Sequence, residues 1–251
     1  MERTRVYHII PVAQGLESWG AVTKALQAPV AGVQVDVTLV DLPEAPVRQI
    51  MSAFHADLVS PHCVKETLHA ERAGFDTVIV DCLDEPGLTA CKEAVRIPVV
   101  GDTEAVLHYA SLLGRRFSFL TPGYTEGRLV GAAGAGHLED LVEKHGFGSR
   151  LASIRSVPGS SLEFAAQQGG LLELMLEQAH QAIELDGADV IISYGALDLL
   201  SYLRQHLEVP VIDTVQSSLM LAESLVRLGL AQSKRAYATP SDLLDLYPDG
   251  H

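Results

Sequence analysis

Three cysteines stand in the chain, Cys63, Cys82 and Cys91, and one of them closes a segment whose pattern suits thiol chemistry. Thr77-Val78-Ile79-Val80 is a β-branched run that reads as a buried strand and stops at Asp81-Cys82. Leu83-Asp84-Glu85-Pro86-Gly87 follows, with Pro86 suited to the first turn of a helix over Leu88 to Val95. A thiol at a strand-to-helix junction lies where unpaired helix amides and the helix dipole favour a thiolate, a base or nucleophile. In open α/β sheets, ligands bind at the carboxyl ends of strands, which is where this thiol is expected. The competing reading of Cys82 is a small hydrophobe closing a buried strand. Cys91 falls mid-helix, and Cys63 lies beside His62 on a helix, where adjacent residues do not face each other; both read as structural.

The elements that must position Cys82 follow from the apolar pattern. Arg5 to Ile10 predicts a first strand, ending in Pro11-Val12-Ala13-Gln14-Gly15, with a helix over Glu17 to Leu26. Val33 to Val40 predicts a second strand, followed by a proline-rich loop at Asp41 to Pro46. Ser60 to Ala73 predicts a helix with Ser60 as cap and Pro61 at its first position. Ile97 to Val100 predicts a strand closed by Gly101, with Asp102 or Thr103 capping a helix over Ala105 to Leu113. Arg116 to Thr121 reads as a further strand, and Thr121 and Tyr124 at its end could bind oxygens. A helix from Glu126, broken at Gly131 to Gly136, is expected to resume over Leu138 to Lys144. Leu151 to Val157 predicts a strand, and Ser160 or Ser161 caps a long helix ending near Gly187. Glu104, Asp213 and Ser217 read as helix caps or buttresses, and His108 as packed or solvated.

The second half echoes the first. Gly187-Ala188-Asp189 followed by Val190 to Ser193, Tyr194 and Gly195 repeats the grammar of Gly74-Phe75-Asp76 followed by Thr77 to Cys82. Val209-Pro210-Val211-Ile212-Asp213 echoes Ile97-Pro98-Val99-Val100-Gly101. Strands alternating with helices imply an α/β fold of two Rossmann-like lobes, with parallel sheets flanked by helices and related by a pseudo-two-fold. The expected lobes are residues 1–101 plus 213–251 and residues 102–212, with the helix from Ser217 to Leu228 returning to the first. The cleft between them is the expected site.

Composition sets the outer bounds. A chain of 251 residues with 47% hydrophobic and 20% charged content is that of a folded, enzyme-sized protein. A net charge of −14 argues against nucleic-acid and anionic-membrane partners, which need a basic footprint. No signal peptide or spanning segment is read at the sequence level, and the cysteines match no zinc spacing. A reducing cytoplasm is the expected location.

These residues resemble the aspartate/glutamate/hydantoin racemase superfamily, nearest its hydantoin-racemase-like branch. The likeness rests on Leu42-Pro43-Glu44, Gly74-Phe75-Asp76 through Asp81-Cys82 to Pro86-Gly87-Leu88, and Arg96 to Gly101. It continues through Glu104-Ala105, Gly187-Ala188-Asp189, Val209 to Asp213, Gly229-Leu230 and Ser233 to Tyr237. The resemblance implies a racemase or epimerase without metal or organic cofactor, acting on a small-molecule carboxylate or imide, and a homo-oligomer. Two cysteines would face opposite sides of a stereogenic carbon, one removing a proton and the other delivering one. Cys82 matches the first; the second falls on Gly195, which leaves Tyr194, Ser193 or water for the other face. Substrate contacts are expected at Pro11, Val12, Leu83, Thr121, Ser193, Gly195 and Ala196. The motif after the first strand keeps only Pro11 of the hydantoin-racemase pattern. A single-thiol decarboxylase or cis–trans isomerase, or a non-catalytic binding protein, are the alternative expectations.

Overall fold

The computed structural model describes residues 3–30, 32, 34–125, 128–129, 135–158 and 171–248. Two sheets organise them. The first holds β1 (Thr4–Ile10), β2 (Val35–Asp41), β3 (Thr77–Val80) and β4 (Val99–Gly101), all parallel in the order β2-β1-β3-β4. The second holds β5 (Phe117–Thr125), β6 (Arg128–Leu129), β7 (Leu151–Pro158), β8 (Val190–Ser193) and β9 (Val211–Asp213). Here β7, β8 and β9 run parallel in the order β7-β5-β8-β9, and β6 adds a short antiparallel tip to β5. Taken in chain order, the parallel strands of each sheet are wound alike.

The strands form where β-branched residues alternate between two buried faces. Ile79 of β3 packs with Val6, Val100, Ala105, Leu219 and Ala222 on one face. Val78 and Val80 pack with Val59, Cys63, Cys91 and Val99 on the other. In β8, Ile191 faces Leu120, Met175, Ala179 and Leu203, whereas Val190 and Ile192 face Val106, Leu107, Leu138 and Val142. Both strands are thus buried on two sides, as parallel sheets require. Burial of each such side chain stabilises the fold by roughly 1.5–3 kcal/mol before chain entropy is charged against it.

Helices cover the faces: α1 (Gly15–Ser18), α2 (Gly20–Gln27), α3 (Ala53–Arg72), α4 (Leu88–Ala94) and α5 (Asp102–Leu113) in the first half. The second half adds α6 (Ala135–Lys144), α7 (Leu171–Glu184), α8 (Leu197–His206), α9 (Thr214–Arg227) and α10 (Leu243–Leu246). Helix α5 joins the two cores, since Ala105 packs on the first sheet and Val106, Leu107 and Ala110 pack on the second. Helix α9 returns to the first sheet, as the pattern of Ser217 to Leu228 predicts, and lies on it beside α5.

Four local expectations are corrected. The helix expected to be capped by Ser60 is capped eight residues earlier by Ser52, which accepts from the His55 amide, and starts at Ala53. Pro61 sits inside it. Both Pro61 and Asp57, the residue four earlier whose carbonyl loses its amide partner, are exposed, a setting in which a helix tolerates proline. The helix forecast over Glu17 to Leu26 is two helices, divided at Trp19. Where a helix was expected from Glu126, Arg128–Leu129 pairs back on β5 as a strand; residues 126, 127 and 130–134 lie outside the described residues. The Ser160 and Ser161 caps also lie outside them, while Leu171–Glu184 is helical as expected. Finally, Asp102 and Thr103 do not cap α5. Gly101 holds the cap position, the Thr103 hydroxyl donates to the Leu83 carbonyl at 2.8 Å, and Asp102 is fully buried.

Candidate active site

Cys82 lies two residues beyond the last paired position of β3, and Gly195 two beyond that of β8. Val80 pairs with Gly101 and Ser193 pairs with Asp213, so the two positions are equivalent by register. This bears out the internal echo at the level of single residues. The end of β8 lies near that of β3, close enough for Cys82, Asp81, Asp102 and Asp84 to act on the Tyr194 hydroxyl.

The loop after Cys82 is a tight turn rather than a helix start. The Glu85 amide donates to the Cys82 carbonyl at 3.0 Å, and Glu85 itself takes a left-handed conformation, φ 48°. Gly87, with φ 69°, then caps α4, which has only seven residues. The expected cluster of helix amides around the thiol is therefore absent among the described residues. One amide, that of Asp84, donates to the Cys82 sulfur at 3.4 Å, and the Asp84 Oδ2 lies 3.7 Å from the same sulfur. Burial pushes the Cys82 thiol well above its ordinary range, and Asp84, Asp81 and Asp102 push it further. The side chain is half-buried. These surroundings favour the protonated thiol, in contrast to the helix amides expected to favour a thiolate. Cys63 and Cys91 are fully buried in the core against α3 and α4, in keeping with their structural reading.

Under Cys82 lies a buried carboxyl cluster. Asp81 Oδ2 contacts His8 Nε2 at 2.9 Å and accepts from the Thr23 hydroxyl at 3.2 Å, and Gln27 Nε2 meets His8 Nδ1 at 3.0 Å. The His8 imidazole offsets the burial of Asp81 and holds its carboxyl below the usual range. Asp102, beside Asp81, is forced well above that range by burial and by its neighbour, so the pair shares one proton. Asp213 closes the cluster. It caps α9, its Oδ1 accepting the Gln216 amide at 2.9 Å, and the Ser217 hydroxyl donates to its carbonyl at 2.6 Å. Burial nevertheless raises its carboxyl to about 7.

That shift has a measurable consequence. A folded-state value above the unfolded one stabilises the protein fully below pH 4, and the contribution is lost as pH rises toward 7. Asparagine keeps the cap oxygen without the charge. Asp213→Asn is therefore expected to gain on the native protein between pH 5 and pH 8 by about 5–10 °C in thermal midpoint, the size of roughly 3 kcal/mol in such a chain. Parallel melting curves across that interval would contradict it.

The other sequence-predicted residues divide into two groups. Tyr194 is half-buried with its ring 5.8 Å from that of Trp19, and burial with the surrounding carboxyls pushes its hydroxyl well up. Ser193 ends β8, Ala196 is the cap residue of α8, and Gly195 between them carries φ 147°. Leu83 points away from β3 into the core of the second sheet, against Phe117, Phe119 and Ile192. Thr121 is buried in β5 opposite Ser156. Pro11 is buried just after β1, and Val12 belongs to the core, its amide donating to Ile10 and its carbonyl accepting from Leu42. Both backbone groups of Val12 are thus engaged. Tyr124 is in β5, and its side chain lies outside the described residues.

The sequence reading missed His8, Asp84, Asp102 and His137. His8 carries a signal, a titratable residue in the apolar run Val6 to Ile10. Asp84 and Asp102 each follow a strand end closely, which is where chemistry gathers in such folds. His137 carries none, since only the fold brings α6 to the Cys82 loop.

The Asp/Glu/Hydantoin racemase family model matches residues 17–222. The chain is 31% identical to hydantoin racemase of Pseudomonas sp. (strain NS671) over 225 residues, 88% of this chain and 87% of that one. Its fold superposes on allantoin racemase from Klebsiella pneumoniae with a TM-score of 0.83 at 26% identity, covering 95% and 94% of the two chains. Arylmalonate decarboxylase, 17% identical with a TM-score of 0.60 over 93% and 96%, shares the fold alone, so the decarboxylase and cis–trans isomerase expectations are not favoured. Among the described residues no cluster of metal-ligating side chains occurs, and no helix is long and apolar enough to cross a membrane. With the paired α/β sheets, the repeated strand order and a family match over most of its length, the chain belongs to the Asp/Glu/Hydantoin racemase family and is a racemase-type enzyme acting on a small molecule.

Proposed function

We propose that the enzyme racemises a small, uncharged cyclic imide or ureide of the hydantoin or allantoin type, with Cys82 as the working thiol. The observation that carries this reading is the acid setting of Cys82: the charges acting on it are Asp84, Asp81 and Asp102. A substrate bearing a free carboxylate would meet repulsion there, whereas a neutral ring would not. The names of the relatives point the same way.

In this reading Cys82, as thiolate, takes the proton from the ring carbon beside the carbonyl, and the electron pair moves onto the carbonyl oxygen. Hydroxyl and amide donors at Thr121, Ser193 and Ala196 receive that developing charge. A proton returns from the opposite face, from Tyr194 or water, and Cys82 gives up its own proton to solvent. Burial and the carboxyls around Tyr194 favour its protonated form, so it donates in the direction that starts at Cys82, regains its proton from solvent, and in the reverse direction its scarce conjugate base takes the proton back. The two lobes, residues 1–101 plus 213–251 and residues 102–212, then supply one face each.

Incubation of single enantiomers of 5-substituted hydantoins and of allantoin, followed by polarimetry, tests the substrate class. A ring compound should lose its rotation at least 100-fold faster than L-aspartate or L-glutamate, the scale of one well-placed acid–base group. Faster loss from either amino acid would overturn the reading.

A further inference from the structure

We propose that His137 and Asp84 form a relay that sets the protonation state of Cys82, reaching it from α6. The reading rests on Cys82 as the working thiol and adds two positioning residues to it. Three contacts carry the argument. His137 Nε2 lies 3.0 Å from Asp84 Oδ1, and among the described residues neither of these buried atoms has another polar partner. The opposite oxygen, Oδ2, lies 3.7 Å from the Cys82 sulfur. Just past the end of α6, His145 Nε2 lies 2.6 Å from Glu85 Oε2, fixing the same loop at a second point. Asp84 and Glu85 are each only 4% exposed, so neither carboxylate is free to swing to water.

A carboxylate this close to a sulfur opposes loss of the thiol proton, and a cation on its far side offsets that opposition. His137 has that role. Its bond to Asp84 raises the imidazole above its ordinary range, with Asp140 on its own helix and Asp57 on α3 adding to the effect. Asp84 faces His137, Cys82 and Tyr194, while Asp81 and Asp102 also act on the sulfur. Below the titration of His137 the imidazolium balances Asp84 and the thiol ionises more readily. Above it, Asp84 faces the sulfur unopposed. The switch is reversible and moves only protons: one leaves the imidazolium to solvent, and the thiol then holds its own more tightly.

Alkylation of Cys82 by iodoacetamide, measured by peptide mass spectrometry from pH 5.5 to 9.5 on the native protein, reads this without any substrate. The logarithm of the rate should climb, flatten through the titration of His137, and climb again. His137→Gln should abolish the flat region and slow the reaction about 3- to 10-fold at pH 6.5, while leaving pH 9 within twofold. Asp84→Asn should also abolish it, but raise the pH 9 rate about 10-fold, the worth of one pKa unit. His145→Gln, which frees the loop without facing the sulfur, should keep the flat region. A single smooth rise in the native protein, or the same proportional change at every pH in both variants, would overturn the relay. Should Asp84→Asn fail to fold, the signed change in His137→Gln still decides. Shifted profiles without racemisation would sink the substrate reading alone, and racemisation with unmoved profiles would sink the relay alone.

Discussion

Cys82→Ser is expected to lose at least 1,000-fold in turnover on a ring substrate while keeping its melting temperature within about 2 °C, since the loss is of a proton-transfer group and not of packing. A serine hydroxyl is of similar size but holds its proton far more tightly than a thiol, and the acid surroundings that already raise Cys82 would raise it further. Cys63→Ser and Cys91→Ser invert the pattern. Both thiols are fully buried in the core of the first sheet, so polar replacements there cost stability, of order 1–3 kcal/mol each, and leave the intrinsic rate of the folded fraction within a few fold. Rates and melting curves on the three variants separate the roles. Comparable rate losses in Cys82→Ser and Cys91→Ser would contradict the assignment.

The second large effect is directional. A racemase with two thiols serves both faces of its carbon alike. Here the register gives Gly195 the place after β8 that Cys82 holds after β3, and in the proposed reading Tyr194 is the donor for the other face. Burial and four acidic or ionisable neighbours hold that hydroxyl well above its ordinary range, which makes its conjugate base scarce near neutrality. The enantiomer whose proton faces Cys82 should therefore exchange that proton faster than it inverts, whereas the other exchanges only as it inverts. Nor is the missing thiol restored by one substitution: at φ 147° a side chain at Gly195 is strained, so Gly195→Cys demands a backbone shift before it can help.

The fold was legible because its strands are short, β-branched and closed by turn residues. Thr77 to Val80 could be read to the residue, and the Val209 to Asp213 echo of Ile97 to Gly101 is matched by the observed register. The start of α3 was not, because Pro61 reads as a helix opening when its neighbours are unknown; the exposure of Asp57 is a tertiary fact. At the candidate site the sequence marks Cys82 as a strand-end thiol, and it does not reveal what surrounds the sulfur. The helix dipole invoked for the thiol begins at Leu88, beyond a turn that puts Asp84 against the sulfur instead. Asp81, Asp102 and Asp213 lie far apart in the chain and meet only because three strands of two sheets end together. Local pattern records which residues end strands; it does not record which ends converge.

The central claim, that one thiol serves one face, is tested most directly by proton NMR in heavy water with each pure enantiomer of a 5-substituted hydantoin, alongside polarimetry. The account predicts that one enantiomer exchanges its ring-carbon proton at least 10-fold faster than it loses rotation, because Cys82 returns a solvent deuteron to the face it served. The other should exchange no faster than it inverts, and Tyr194→Phe should slow inversion about 100-fold while sparing the fast exchange. Equal exchange of both enantiomers, matched to inversion and unaffected by Tyr194→Phe, would contradict it.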